Sequence, residues 1–505
     1  APAISVQNLI TILPWFTQST MNLFNLFQRI NLKTFSIFSV GMMVIYFAFA
    51  YLDAYPIMMW DESRLANNAI EMDMSGNWIV TTFYGVPDYG NVKFPLLIWM
   101  QVISMRLFGF DEIGMRMPIA FAVLFTCIFL YWYAVRYIKD YIIGLLSVAV
   151  LITSYGYMHV HSGRTGDYDA LLTLFTTIYV LILYQYFQDG SQRKLFWAIN
   201  FFTLAVFTKS IAGAIYILPI ALYALYSKQL MPILKSKSFY RGLILFFISI
   251  GGYVIIRAFQ QSDYLESIWV VDTIGRAVNA IDGHDHPFKY HFENFYLSHF
   301  DAWYKLLLIA LAFFFYKKDH PQAKFVRYLF LLVILHMLVI SSCKSKLYWY
   351  TLPNFPLCSL IVAIFIREVI QHLNSSGTRF FSAIFLVAIF AKPIQVMYDK
   401  IYLGHGFPID QSVKSCSQYI KQHDFKGRRV RCIPDSVYFA DMAFYAQASK
   451  RRGNDIETVY DHAVLAGDIV LIYRKFNLDI IDRKWKYRII AQNQEFYCLE
   501  LLALK

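Results

Sequence analysis

The sequence predicts an α-helical polytopic membrane protein with a small α/β domain at its C-terminal end. Three observations carry that reading. Hydrophobic residues make up 58% of the 505-residue chain and charged residues only 16%, where a soluble domain usually carries about a quarter. Apolar runs long enough to cross much of a bilayer recur between Ser36 and Met397. Beyond about Asp399 the pattern shifts to short strand-like runs separated by polar stretches.

The chain divides at 1–32, 33–398 and 399–505. The first segment shows no cleavable-looking signal peptide and reads as an interfacial helix, with Leu9, Ile12, Trp15, Phe16, Leu23 and Phe27 along it. The first span runs from Ser36 to Leu52 and breaks at Tyr55-Pro56. Pro95 to Phe108 is short and reads as a helix lying along the membrane. Spans follow at Met115–Tyr137, Tyr141–Met158, Ala170–Phe187, Leu195–Phe207, Ile211–Tyr226 and Gly242–Ile256. Leu306–Tyr316, Val326–Ile340, Tyr350–Ile366 and Phe381–Met397 complete the set. Orientation is read from the loop charges. With the amino terminus inside, the loops holding Arg136/Lys139, Arg193/Lys194, Lys228 to Arg241, Lys317 to Arg327 and Arg367/Arg379 are all cytoplasmic and all basic. The same assignment gathers Asp61, Lys93, Arg164, Asp167, Asp169, Lys344/Lys346 and the α/β tail outside.

The net charge of +12 lies mostly in those short loops, which excludes a nucleic-acid groove. Among the six cysteines, Cys127 and Cys358 fall inside apolar runs and read as packing residues. Cys416, Cys432 and Cys498 lie in the tail and leave one disulfide open if the tail is extracytoplasmic.

The acidic pair Asp61-Glu62 stands just past the first span. Adjacent carboxylates beside a membrane face are costly unless wet, paired or catalytic. Glycosyl transfer from a phosphate-linked donor needs a carboxylate to take the proton of the attacking hydroxyl. It also needs cations for the charge growing on the departing phosphate. Asp61 suits the first demand; Arg64, Lys93, Lys289 and Lys346 suit the second. A further loop, His159 to Asp169, adds Arg164, Asp167 and Asp169, and Lys209 ends a span nearby. Plainer readings stand beside these. The acids could cap a helix, and Arg164 and Asp169 could form an ordinary ion pair. Lys209 and Lys344 could snorkel, and Trp349 and Tyr350 could be belt aromatics. His284, His286 and His291, with Asp282 and Asp285, read either as a solvated loop or as ligands for a divalent metal.

Trp60-Asp61-Glu62-Ser63-Arg64, with Ser75-Gly76-Asn77-Trp78, resembles the first-loop signature of the aminoarabinose-to-lipid A transferases. These belong to the GT-C superfamily, which includes the protein O-mannosyltransferases. Lys93-Phe94-Pro95-Leu96 resembles that group's Lys-Pro-Pro-Leu motif, and Lys346 to Pro353 its Lys-Leu-Pro-Thr-Tyr-Ile-Leu-Pro stretch. Gly166 to Leu172 resembles its second acidic motif, and His286-Pro287-Phe288 the motif of its long loop. Val92 stands where the aminoarabinose enzymes often carry Glu, and Phe94 replaces a Pro. The resemblance implies a GT-C fold of about 11–13 transmembrane helices with juxtamembrane helices in the first outer loop. It implies a polyprenyl-phosphate (undecaprenyl-phosphate) sugar donor, transfer with inversion, and an active site facing the periplasm of a bacterial inner membrane. Asp61, Asp169 and Glu62 are then the catalytic acids. Arg64, Lys93, Lys289, Lys346, Tyr350 and Lys209 hold the donor phosphate, with Asp167 and Arg164 behind them.

The expected function is therefore a lipid-linked sugar glycosyltransferase, acting as a monomer among membrane lipids. Its acceptor is lipid A or another glycolipid, with a protein hydroxyl or a cell-wall polysaccharide as alternatives. No cofactor is required, and a divalent metal at His286 and His291 is left open. A transporter or flippase fits less well, because the spans hold few ionisable residues near their centres, His336 being the clearest. A scaffold leaves the gathered acids and bases unexplained.

Overall fold

The computed structural model of the chain describes residues 32–270, 283–375, 379–402, 410–425, 427–433, 439–459, 463–472 and 478–505. The expected interfacial segment, apart from Leu32, and Asp282 lie outside the described residues.

The protein is a polytopic helical membrane protein. Among the described residues eight helices are long and apolar enough to cross a membrane, or nine if Tyr290–His299 and Tyr304–Tyr316, bent by 113°, count as one span. Each of the eleven apolar runs falls on a helix, but Tyr141–Ile152 and Ile217–Tyr226 are shorter than a full crossing. The first of these stops where Thr153 and Ser154 turn their hydroxyls onto the Ala149 and Val150 carbonyls, both at 2.6 Å. That bond gives the backbone an alternative to continuing the helix, and the chain enters the 153–168 loop. Gly213 follows the Gln192–Lys209 helix, and a Cβ there would lie 2.3 Å from the Val206 amide nitrogen. Only glycine permits so close a fold-back.

The spans at 348–374 and 169–189 are 89% and 83% buried, whereas those at 32–49 and 237–260 are each 17% buried. The first two therefore form the middle of the bundle and the last two its lipid-facing edge. Phe38, Phe247, Ile248 and Phe259 point outward from that edge, as lipid tails allow. Leu96–Phe108, 13 residues long, buries Leu97, Ile98, Val102 and Met105 and exposes Ile103 and Leu107.

The C-terminal region holds a five-stranded sheet. Its strands are β1 (Arg429–Ile433), β2 (Asp455–Thr458), β3 (Ile469–Ile472), β4 (Trp485–Gln492) and β5 (Tyr497–Leu504). They lie in the order β2-β1-β3-β5-β4. β1 pairs parallel with β2 and β3, and β5 runs antiparallel to β3 and β4. Cys416, Cys432 and Cys498 are buried free thiols, so the disulfide left open there is not formed. Burial pushes the Cys498 thiol up to about 11, which keeps it protonated and unreactive.

This region docks on the first loop. The Ala440–Arg451 helix lies against the Asp61–Ser75 helix, where Asn67 Nδ2 donates to the Ala440 carbonyl at 2.6 Å. Arg451 pairs with Asp73 at 2.9 Å. The tail and the Asp61 loop thus share one face of the bundle.

Candidate active site

Asp61 opens the Asp61–Ser75 helix, whose first turn carries both acids and whose buried face is Leu65, Ala66, Ala69, Ile70 and Met72. Acids there are favoured by the helix dipole. The preceding Trp60 sits at φ 74°, ψ −114°, a backbone a non-glycine residue holds only when its surroundings over-determine it. Asp61 remains half exposed at the rim (58% of its side chain).

Glu62 has a different role from its neighbour. Its carboxylate is buried and accepts from Arg116 Nε and Nη2, each at 2.7 Å. It also accepts from the amides of Gly166 (2.8 Å) and Met58 (2.9 Å). All of its lone pairs point at donors, so it ties the first loop to the Glu112–Tyr133 helix and is not placed to take a substrate proton. Arg116 spends its remaining N–H groups on the carbonyls of Leu52, Tyr55 and Pro56. Arg116 has no role in the sequence reading, although a lone arginine near the start of an apolar span is a signal in itself.

Arg164 also departs from its expected place. It is fully buried and donates to the carbonyls of Phe47, Ala48, Ala50 and Tyr51. It therefore caps the C-terminal end of the Leu32–Phe49 helix, where a cation meets the negative end of the dipole. The ion pair of Asp169 is with Lys209, whose Nζ reaches both carboxylate oxygens at 2.6 Å.

His161, at φ 61°, is the residue the sequence left without a role. Its Nδ1 lies 3.7 Å from Asp61 Oδ2 and 3.4 Å from Asp167 Oδ2, and Trp349 stacks on its ring at 3.9 Å. Thr165 Oγ1 donates to the same Asp167 oxygen and accepts from the His161 amide at 2.8 Å. Burial pushes the His161 pKa down, but Asp167 and then Asp61 outweigh it and hold the ring above its ordinary range. For Asp167, burial pushes up while His161, Thr165 and Lys209 together bring it below the usual carboxylate value.

Around this centre stand the cations. Lys209 Nζ lies over the Tyr350 ring at 5.6 Å, and Lys93 Nζ over the Tyr168 ring at 5.6 Å. Tyr168 belongs to a buried amide network, with Asn91 Nδ2 donating to its hydroxyl at 3.0 Å and to Asn68 Oδ1 at 2.9 Å. Asn68 bonds Asp88, which pairs with Arg64 at 3.2 Å. Lys346 is buried, and its charge acts on His291, whose ring lies 6.2 Å from that of Tyr350. Lys289 is not brought in. It is exposed and pairs with Glu293 one turn along its own helix, at 2.9 Å.

The histidines left open as metal ligands, His286 and His291, lie elsewhere on the same loop region. His286 stacks on Tyr290 at 4.0 Å, and His291 is buried with neither ring nitrogen bonded. Among the described residues, the side chains whose ligand atoms converge, all within 4.8 Å, are Asp61, His161 and Asp167. Two carboxylates and one imidazole suit a divalent cation. A protonated His161 between the two carboxylates balances the same charges, with its Nδ1 at ion-pair distance from both and hydrogen-bonded to neither.

The family model described as dolichyl-phosphate-mannose-protein mannosyltransferase matches residues 92–255. The chain is 24% identical over 338 residues to a protein of Aquifex aeolicus, covering 67% of this chain and 64% of that one. It is 28% identical over 323 residues to the undecaprenyl phosphate-alpha-4-amino-4-deoxy-L-arabinose arabinosyl transferase of Aeromonas salmonicida, covering 62% and 56%. The enzyme of the same name from Aeromonas hydrophila is 27% identical, at 63% and 58% coverage. The match therefore spans less than two thirds of these relatives' own length. Among solved structures, ArnT from Cupriavidus metallidurans bound to undecaprenyl phosphate superposes with a TM-score of 0.67 at 14% identity, covering 92% of this chain and 97% of that one. The Archaeoglobus fulgidus oligosaccharyltransferase gives 0.53 at 9% identity, with 89% and 66% covered. The fold is the GT-C fold that the motif resemblance implied.

Proposed function

We propose that the chain transfers a sugar from a polyprenyl-phosphate donor to a hydroxyl or phosphate of an acceptor, at the periplasmic face of a bacterial inner membrane. One observation carries this reading. Asp61, His161, Asp167 and the Asp169–Lys209 pair gather on one rim of a fold shared with a structure that holds undecaprenyl phosphate. The aminoarabinosyl transferases among the relatives support the same donor class.

In this reaction Asp61 takes the proton of the attacking group, for which its half-exposed position leaves room. The acceptor oxygen bonds to the anomeric carbon as the bond from that carbon to the phosphate oxygen breaks. The polyprenyl phosphate leaves with the electron pair, and attack from the opposite face inverts the sugar carbon. Lys209, Lys93, Lys346 and Arg64, with Tyr350, face the charge that grows on that phosphate, and they act most strongly where water is scarce. Asp169 keeps Lys209 in place, and His161 with Asp167 sets the field at Asp61.

The motif resemblance favours lipid A or a related glycolipid as acceptor. The mannosyltransferase family match at 92–255 supports a second reading, transfer to a protein hydroxyl. Mass spectrometry of glycolipids and glycoproteins from cells with the wild-type chain or Asp61→Asn separates them. A hexose- or pentose-sized mass lost from glycolipid in the variant supports the first reading, and one lost from protein supports the second. No Asp61-dependent change in either fraction overturns the assignment and returns a flippase to consideration.

A further inference from the structure

We propose that Tyr445, in the C-terminal domain, is a positioning residue that fixes the turn carrying Asp61; the proposal rests on the glycosyl-transfer reading above. Its hydroxyl accepts from the Ile57 amide at 2.7 Å and donates to Glu112 Oε1 at 2.7 Å. All three residues are buried. Ile57 lies four residues before Asp61, and the next amide, Met58, donates to Glu62 at 2.9 Å. Glu112 is held from the tail a second time, by Lys421 Nζ at 3.0 and 2.8 Å. One turn further along the Glu112 helix, Arg116 grips Glu62.

The segment 57–62 is thus fastened at its start by Tyr445 and at its end by Arg116, and the left-handed Trp60 lies between. A strained backbone of that kind persists only where neighbours hold it on both sides. Here one of the two holds comes from a domain more than three hundred residues away in sequence. Not every docking contact does this. Arg451 and Asp73, for example, meet at a partly exposed edge and touch neither the turn nor Glu112. The tail therefore does more than adhere, because it supplies the hydroxyl that sets where the Asp61 carboxylate stands.

Tyr445→Phe in the full-length protein tests this, since it keeps the ring and removes only the hydroxyl. Hydrogen exchange of the peptide containing Ile57 should accelerate about tenfold or more, the loss of one buried bond. Turnover should fall about tenfold or more while KM for undecaprenyl-phosphate sugar stays within about twofold, because alignment and not binding is lost. Arg451→Ala should leave both unchanged. Should Tyr445→Phe not fold, Lys421→Met carries the same measurements by freeing the carboxylate that anchors the hydroxyl. Unchanged exchange or unchanged turnover in Tyr445→Phe overturns the proposal, as does an equal loss of turnover in Arg451→Ala. Asp61→Asn in parallel keeps the two readings apart. Full turnover there refutes the assigned chemistry, while the exchange data still judge the positioning.

Discussion

Arg116 holds Glu62 through two hydrogen bonds of 2.7 Å, one residue along the chain from the exposed carboxylate of Asp61. Both partners are sealed from water. Removing one member of such a pair leaves a buried charge uncompensated. Arg116→Leu should therefore lower stability by about 3–5 kcal/mol, read as the thermal midpoint of the detergent-solubilised protein. Glu62→Gln should lose a similar amount, since it leaves the Arg116 charge uncompensated and turns an NH2 group toward two of the four donors. A loss for Arg116→Leu under about 1 kcal/mol would show that the pair behaves as a solvated one.

Asp61→Asn should leave folding and binding of undecaprenyl phosphate intact and lower turnover by about two to four orders of magnitude, the reach of a general base. Near-normal turnover in the purified variant would remove Asp61 from that role.

The division between Asp61 and Glu62 shows how far the sequence can be read. The spans are legible because apolar length is a local property, and the Asp61 loop is legible because paired acids at a membrane face need a reason. Which acid is free and which is tied depends on Arg116, separated by more than fifty residues and brought near only by helix packing. The same holds for Asp169. Its partner Lys209 lies forty residues on, whereas the adjacent Arg164, the obvious candidate by spacing, is consumed by carbonyls of the first span. His161 gains its place from the fold alone, since its neighbours Asp61 and Trp349 come from distant loops. Lys289 looked equivalent to the other lysines until its own helix supplied Glu293.

The phosphate-binding cations can be ranked accordingly. Lys93→Ala and Lys346→Ala should each weaken undecaprenyl phosphate binding by about 1.5–3 kcal/mol, one charge-assisted hydrogen bond. Lys209→Ala should weaken it at least as much, because Asp169 is then left as an unbalanced negative charge facing the phosphate. Lys289→Ala should have no effect. Titration of the lipid into each purified variant reads the order, and equal weakening in all four would mean general attraction between a basic surface and an anionic lipid.

The pH dependence of stability tests the triad of Asp61, His161 and Asp167. His161 is held above its ordinary pKa, so its contribution is complete below the unfolded value of about 6.5 and fades as pH rises through the folded value. Asp167 is held below its ordinary pKa, so its contribution is present above about 3.8 and is lost as pH falls through the lower folded value. The pair is thus at full strength between those unfolded values. In chelator the thermal midpoint should decline on the alkaline side of neutrality, and His161→Gln should flatten that decline. A divalent cation on the same three side chains has the opposite sign, because it needs the imidazole neutral and binds better as pH rises. Manganese should then raise the midpoint at about pH 8 but not at about pH 5.5, where the proton competes for Nδ1. The comparison decides between the two occupants. A manganese shift abolished by His161→Gln assigns the cluster to a cation, and no shift at either pH leaves the proton as the group that holds Asp61 and Asp167 together.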